Sequence, residues 1–223
     1  MQILPFYLVC DESGSMSGEP IDAINGALPA LHQEISTNPT VADKTRFALI
    51  GFSDDAKVLQ PLVDLSELEE LPALAAGGVT SYGHAFRTLR QCVESDVAAL
   101  KAEGHEVYRP VVFFLSDGVP TDPGWEQALK DLTSSRYCPK IIAFGIGAAD
   151  TATISQVANF RAFMQNQDGT SVSPAAALRE FAASLTRSIV RSASSISADG
   201  SSGFTLAVDE NVPGFSTVSL DKL

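Results

Sequence analysis

The residues best placed to do chemistry lie in one short stretch, D-E-S-G-S, from Asp11 to Ser15. It follows directly on the apolar run Ile3-Leu4-Pro5-Phe6-Tyr7-Leu8-Val9-Cys10, which reads as a strand buried on both faces. Side chains alternate sides along an extended segment, so Asp11, Ser13 and Ser15 share one face at the strand end. A carboxylate and two hydroxyls in a row are hard oxygen donors of the kind a small divalent cation takes. Mg2+ wants near-octahedral oxygen ligation and keeps water-filled positions. The same hydroxyls would equally satisfy backbone groups in a strand-to-helix loop, so this stretch alone leaves both readings open.

The elements that must position these side chains follow from periodicity. Pro20 suits a first helical position, and Ile21, Ile24, Leu28, Leu31 and Ile35 step by three and four to give one apolar stripe, with Pro29 as a place for a kink. Residues 46–53 form a second buried strand and 56–62 a shorter one. Asp54-Asp55 between them reads as a tight turn, which makes this pair antiparallel and the shorter strand a sheet edge. An acidic, Leu-rich segment (64–76) leads to the loop Gly77-Gly78-Val79-Thr80-Ser81-Tyr82-Gly83, and a helix is predicted over 84–102 on Phe86, Leu89, Val93, Val97 and Leu100. A strand over 109–116 ends at Asp117-Gly118, and Asp122-Pro123 is a good cap and first-turn pair for a helix through Leu132. A strand over 140–147, a short helix near 153–157, a short strand over 161–165 and a long helix over 174–194 complete the alternation.

Near-continuously apolar strands alternating with amphipathic helices predict an α/β fold: a doubly wound, mostly parallel sheet flanked by helices, Rossmann-like, with one short antiparallel edge strand. Ligands of such sheets sit at the carboxyl ends of strands where the winding reverses. Asp11, Thr80 and Asp117 each fall where a loop leaves a strand or enters a helix, which predicts one shared site. Beyond the last helix the composition shifts. Residues 192–203 are a Ser/Gly-rich linker by content. Residues 204–223 suggest a small hairpin with a Pro-Gly turn, and packing on a sheet edge, meeting a partner and staying disordered are all open to it.

Composition narrows the partners. A chain of 223 residues, 45% hydrophobic and 19% charged, has room for one α/β domain with a sizeable core. The formal charge of −12 opposes nucleic acid and anionic membrane surfaces. Cys10, Cys92 and Cys138 are far apart, lack a C-x-x-C spacing and read as buried thiols of a reducing compartment. No signal peptide or membrane span is evident, so a cytoplasmic location is expected.

Three stretches together identify a family. D-E-S-G-S after the first strand, T-S-Y-G-H-A-F opening the central helix and L-S-D-G-V-P-T-D after a later parallel strand resemble the von Willebrand factor A (VWA) domain over residues 1–191. Among its members the chain is most similar to the short bacterial intracellular type, including the TerY-like proteins of tellurium-resistance gene clusters. The resemblance implies a metal-ion-dependent adhesion site (MIDAS) for Mg2+, with Mn2+ or Ca2+ as other candidates. In it Ser13 and Ser15 bind the ion through their hydroxyls. Thr80 binds directly when a ligand is present and otherwise through water. Asp11 and Asp117 act through waters and hydrogen bonds to the serines. The family usually places its glycine pair directly before the threonine, whereas Val79 intervenes here.

The expected function is therefore a non-enzymatic, metal-dependent protein-binding module that captures an acidic partner residue, Asp or Glu. The TerY-like resemblance adds a stress-response setting with a kinase or phosphatase as partner, and makes Ser194, Ser195 and Ser201 candidate phosphorylation sites. A Mg2+-dependent phosphohydrolase of haloacid-dehalogenase type is the alternative. That class needs an acid/base Asp two residues after the first, where Ser13 stands, and a basic residue for the phosphate. No phosphate loop, nucleophile elbow or Cys/His pair is present, and a scaffold with a decayed site is disfavoured by five intact ligand positions. Glu12 and Ser17 flank the site. His84 either contacts a ligand or packs at its helix start, Trp125 either anchors a partner or packs, and His32 and His105 read as surface residues.

Overall fold

The computed structural model describes residues 1–166, 173–194 and 206–220. β1 (Gln2–Asp11) lies at the centre of an eight-stranded sheet. On one side it pairs in parallel with β2 (Thr45–Phe52), which pairs antiparallel with the edge strand β3 (Ala56–Val63). On the other side it pairs in parallel with the two-residue β4 (Glu106–Val107) and then with β5 (Val111–Ser116). The sheet continues through β6 (Lys140–Gly145) and β7 (Arg161–Gln165), both parallel, to β8 (Phe215–Val218), which is antiparallel.

Alternation along the strands builds two apolar layers. Leu4, Phe6, Leu8 and Cys10 of β1 join Phe113, Phe144 and the helices α1 (Glu19–Ser36) and α6 (Pro174–Ser194) on one face. Tyr7 and Val9 join Phe52, Phe114 and the helices α3 (Tyr82–Ala102), α4 (Trp125–Thr133) and α5 (Thr151–Val157) on the other. A four-residue helix, α2 (Pro39–Ala42), packs beside α1 and α6. α1 runs through Pro29 without ending.

This wiring creates the crevice. The chain leaves β1 for α1 on one face and leaves β5 for α4 on the other, so the two loops diverge between adjacent parallel strands. That is the point at which a doubly wound sheet takes its ligand.

The sheet departs from expectation at its ends. A second antiparallel edge strand, β8, joins β3. Among the described residues the stretch expected to be a hairpin supplies this strand alone: residues 206–208 are not in a strand, while Leu206, Val212 and Phe215 are buried against the α6 face. Asp209 fastens the segment by accepting hydrogen bonds from Arg187 Nε at 2.8 Å and Arg191 Nη1 at 2.6 Å. α6 ends at Ser194, where the predicted helix ends, so residues 192–194, which the linker also included, are helical. Ser194 donates to Val190 O, and Ser195 and Ser201 lie outside the described residues. All three cysteines are free, but only Cys10 is buried; Cys92 and Cys138 are half-buried.

Candidate metal centre

Asp11 ends β1 with no exposed surface, because its carboxylate points between β1 and β5 and not out of the sheet. The register that pairs Cys10 with Leu115 brings Ser116 alongside Asp11. Ser116 Oγ donates to Asp11 Oδ2, while Asp11 Oδ1 accepts the Ser13 backbone N–H at 2.8 Å. The chain then turns through a short 3-10 segment (Gly14–Met16), which carries Ser15 over the crevice. Ser15 Oγ donates to Asp117 Oδ1 at 2.8 Å, and Ser13 Oγ lies 3.1 Å from Ser15 Oγ. With the Ser15 proton given to Asp117, the proton between the serines comes from Ser13. The direction Ser13 to Ser15 to Asp117 leaves lone pairs on both hydroxyls free. Ser13 is 2% exposed and Asp117 9%, whereas Ser15 is exposed and forms the open side.

Thr80 arrives from the loop before α3. Its carbonyl accepts from Thr121 N at 2.8 Å and from Thr121 Oγ1 at 3.0 Å, and its hydroxyl lies 3.1 Å from where a Cβ on Gly118 would stand. The two glycines before it are tied to the β1 loop, Gly77 N to Glu12 O at 2.7 Å and Gly14 N to Gly78 O at 3.0 Å. Gly78 has φ +79°, and a Cβ there would stand 2.5 Å from Asp54 Oδ2, so only glycine fits. The extra residue Val79 is absorbed outward: it is 51% exposed, its N–H bonds Asp54 Oδ1 at 2.9 Å, and Thr80 stays buried. All five predicted side chains therefore sit around one crevice. Hydrogen bonds link Asp11, Ser13, Ser15 and Asp117, and Thr80 packs against the Asp117-Gly118 loop.

Ser116 was not foreseen, and among the described residues it is the side chain that bonds the far oxygen of Asp11. Glu12 turns inward, where its Oε1 accepts from Ala75 N at 2.7 Å and holds the segment before Gly77. Trp125 is 8% exposed and meets Tyr82 edge-on at 5.7 Å, so it packs. His84, in the first turn of α3, has its Nδ1 3.3 Å from Asp55 Oδ1. His32 is no free surface residue, since its Nε2 bridges Leu65 O and Leu68 O.

Asp122 also differs from expectation. α4 begins two residues beyond Asp122-Pro123, after Gly124, and Asp122 Oδ2 instead accepts Gly83 N–H at 2.9 Å in the first turn of α3. A long-range acceptor thus replaces the missing side-chain cap of Ser81. Asp122→Ala is expected to cost about 1 kcal/mol in urea unfolding and to speed amide exchange at Gly83, whereas Asp122→Asn, which keeps an acceptor, restores most of the loss.

The electrostatics of the crevice favour a cation. Burial pushes the Asp11 carboxyl up to about 6, against the hydrogen bonds from Ser116 and Ser13, and the Asp117 charge adds to the rise. Burial also raises Asp117, partly offset by the Ser15 hydrogen bond. Serine hydroxyls and backbone N–H groups act on both carboxyls, and the Asp117 charge acts on Asp11. Among the described residues no three His, Cys, Asp or Glu side chains gather at a metal-sized site. The donors are instead two carboxylates with the hydroxyls of Ser13, Ser15 and Thr80, an all-oxygen set that fits a hard divalent ion. Such a set has no soft or nitrogen ligand with which to favour zinc or copper.

The fold has close counterparts of low sequence identity. The pilus adhesin SpaC from Lactobacillus rhamnosus GG (open conformation) superposes with a TM-score of 0.64 at 14% identity, over 86% of this chain and 30% of that one. Proximal thread matrix protein 1 from the mussel byssus gives 0.61 at 16%, over 85% and 48%. The ArnB paralog VWA2 from Sulfolobus acidocaldarius gives 0.54 at 19%, over 84% and 45%. The chain spans less than half the length of each of these. No curated protein matches it. Among the described residues no helix is long and apolar enough to cross a membrane. The profile of the von Willebrand factor type A domain matches residues 6–177, and with the sheet order and crevice described above the chain belongs to that family.

Proposed function

We propose that this chain is a non-enzymatic binding module whose crevice holds a divalent cation, Mg2+ by donor hardness, and engages an acidic side chain of a protein partner. The observation that carries this reading is the hydrogen-bonded run from Ser13 through Ser15 to Asp117, backed by Ser116 and Asp11. Ser13, Ser15 and Thr80 would hold the ion with neutral oxygens. Asp117 orients Ser15, and Asp11 orients the loop through the Ser13 N–H. Neutral ligands leave the ion poorly neutralised, so a bound cation supplies an electrophilic position for a partner's carboxylate. We place the module in the cytoplasm on its three free thiols, and a stress-response kinase or phosphatase is the narrower proposal for the partner.

The test is a pull-down from cell extract with tagged protein in Mg2+ and in EDTA, beside Ser13→Ala/Asp117→Ala. A partner retained by wild type in Mg2+ alone is the expected result. Equal retention in all three arms would remove the metal crevice as the interface.

A further inference from the structure

The opposite end of the sheet carries a second site of contrary charge. Below the amino ends of β5 and β6, a cavity of about 340 Å³ opens between the last turns of α3, the β4–β5 connection and the residues that follow α4. It lies about 20 Å from the metal crevice, the length of a six-residue strand. Lys101, Arg109 and Arg136 line it together with Tyr108 and Tyr137. All three cations are exposed. Lys101 Nζ stands 4.8 Å and Arg136 Cζ 5.3 Å from the centroid of the Tyr137 ring, so one aromatic platform positions both charges. Arg109 is fixed by its own hydrogen bonds, Nε to Cys138 O at 2.6 Å and Nη2 to Cys138 Sγ at 3.0 Å, which leave Nη1 without a partner among the described residues. Lys140, at the start of β6, is pulled below the usual lysine range by burial and by the Arg109 charge beside it, so the local potential is positive.

A chain with 27 acidic and 15 basic residues has carboxylates to spare, yet none pairs with these cations among the described residues. The acids on the same elements are turned elsewhere: Asp96 accepts from Tyr7, Glu103 faces His105, Glu106 accepts from Gln2 and Asp131 from Gln127. Helix ends account for part of the pattern, since Lys101 and Arg136 lie near the carbonyl ends of α3 and α4. They do not account for Arg109, which lies on the strand side of the cavity.

We propose that this cavity is a binding site for a phosphate monoester, with Lys101, Arg109 and Arg136 holding its dianionic group. The Arg136 guanidinium carries forked donors that match phosphate oxygens, Arg109 offers its remaining Nη1, and the Lys101 ammonium adds a third charge. The volume leaves room for the organic part of the ester beside the tyrosines. A free metabolite and a phosphorylated side chain carry the same group, and the site reads that group.

The test is an amide NMR titration of the full chain in EDTA at constant ionic strength with inorganic phosphate, AMP and O-phosphoserine, beside Lys101→Gln/Arg136→Gln. Saturable shifts confined to residues 107–109 and 136–138, weakened at least tenfold in the double variant, are expected. Tighter binding of AMP assigns a nucleotide-like ester, tighter binding of O-phosphoserine a modified side chain, and equal binding phosphate alone. Non-saturating shifts, equal shifts with chloride, or unchanged affinity in a folded double variant would overturn the site. Both exchanged side chains are exposed, so their loss leaves the core intact, and the thermal melt of the variant verifies this. Because the titration runs without metal, its result is independent of the binding role of the Asp11 crevice.

Discussion

Lowering the pH from 7 to 5 is expected to stabilise the metal-free protein and to abolish its stabilisation by Mg2+. The folded Asp11 carboxyl titrates at about 6 against an ordinary value of 3.8, chiefly through burial. Between those values the folded state holds the proton more tightly than the unfolded chain. The stabilising contribution is therefore complete below about pH 4 and is lost as pH rises through about 6. At 1.36 kcal/mol per unit this amounts to about 3 kcal/mol at the limit and about 1 kcal/mol by pH 5. Glu12, Asp96 and Asp117 are raised by burial too and act in the same direction, while the exposed Asp150, lowered by its hydrogen bonds to Thr153, acts in the opposite one. A divalent ion held by the hydroxyls would reverse the dependence, because its charge favours the deprotonated carboxylates beside it and their protonation opposes its binding. Thermal melts in EDTA and in excess Mg2+ across this range should thus converge at low pH and separate near pH 7. Asp11→Asn should melt higher than wild type in EDTA at pH 7 and show no response to Mg2+. An EDTA melting temperature that falls equally in wild type and Asp11→Asn on acidification would refute the assignment.

The parts of the site that were legible in the sequence are those fixed by local rules. The strand end places Asp11, but Ser13 and Ser15 lie beyond β1 on a 3-10 turn and not on an extended face, and the apolar runs define every parallel strand except the two-residue β4. What escaped depends on pairings between distant segments. Ser116 reaches Asp11 only through the β1–β5 register, which no local pattern encodes. Asp122-Pro123 obeys the rule for capping its own helix, yet the carboxylate serves α3, 39 residues back in sequence. His32 finds two carbonyls 33 and 36 residues away. β8 is a short, half-polar segment whose strand character comes from the open edge of β7, so its own residues gave a hairpin instead. The Val79 that separates the glycine pair from Thr80 is accommodated by Asp54 from another loop.

Phe114→Ala is expected to be the most damaging single change, because it empties the floor beneath the crevice. Phe114 has no exposed surface and stacks on Phe52 at 5.3 Å and Phe86 at 5.4 Å, with Tyr82 edge-on at 5.0 Å. Removing a buried Phe side chain costs about 3–5 kcal/mol, the lost transfer energy plus the cavity left behind. For a domain of this size that corresponds to a fall in melting temperature of about 6–20 °C. The loss should also reach the site. Tyr82 rests on this ring and donates its hydroxyl to Gly118 O at 3.2 Å, so it props the loop that carries Asp117. Tyr82→Phe removes that hydroxyl alone and should cost about 1 kcal/mol, while leaving the aromatic packing in place. Two separable outcomes follow. If the ring stack positions the loop, Phe114→Ala lowers Mg2+ affinity as well as stability. Tyr82→Phe then lowers affinity with little change in melting temperature. Should Phe114→Ala destabilise the fold while both variants bind Mg2+ as wild type does, the loop is held by the strands alone and the aromatic floor serves only the core.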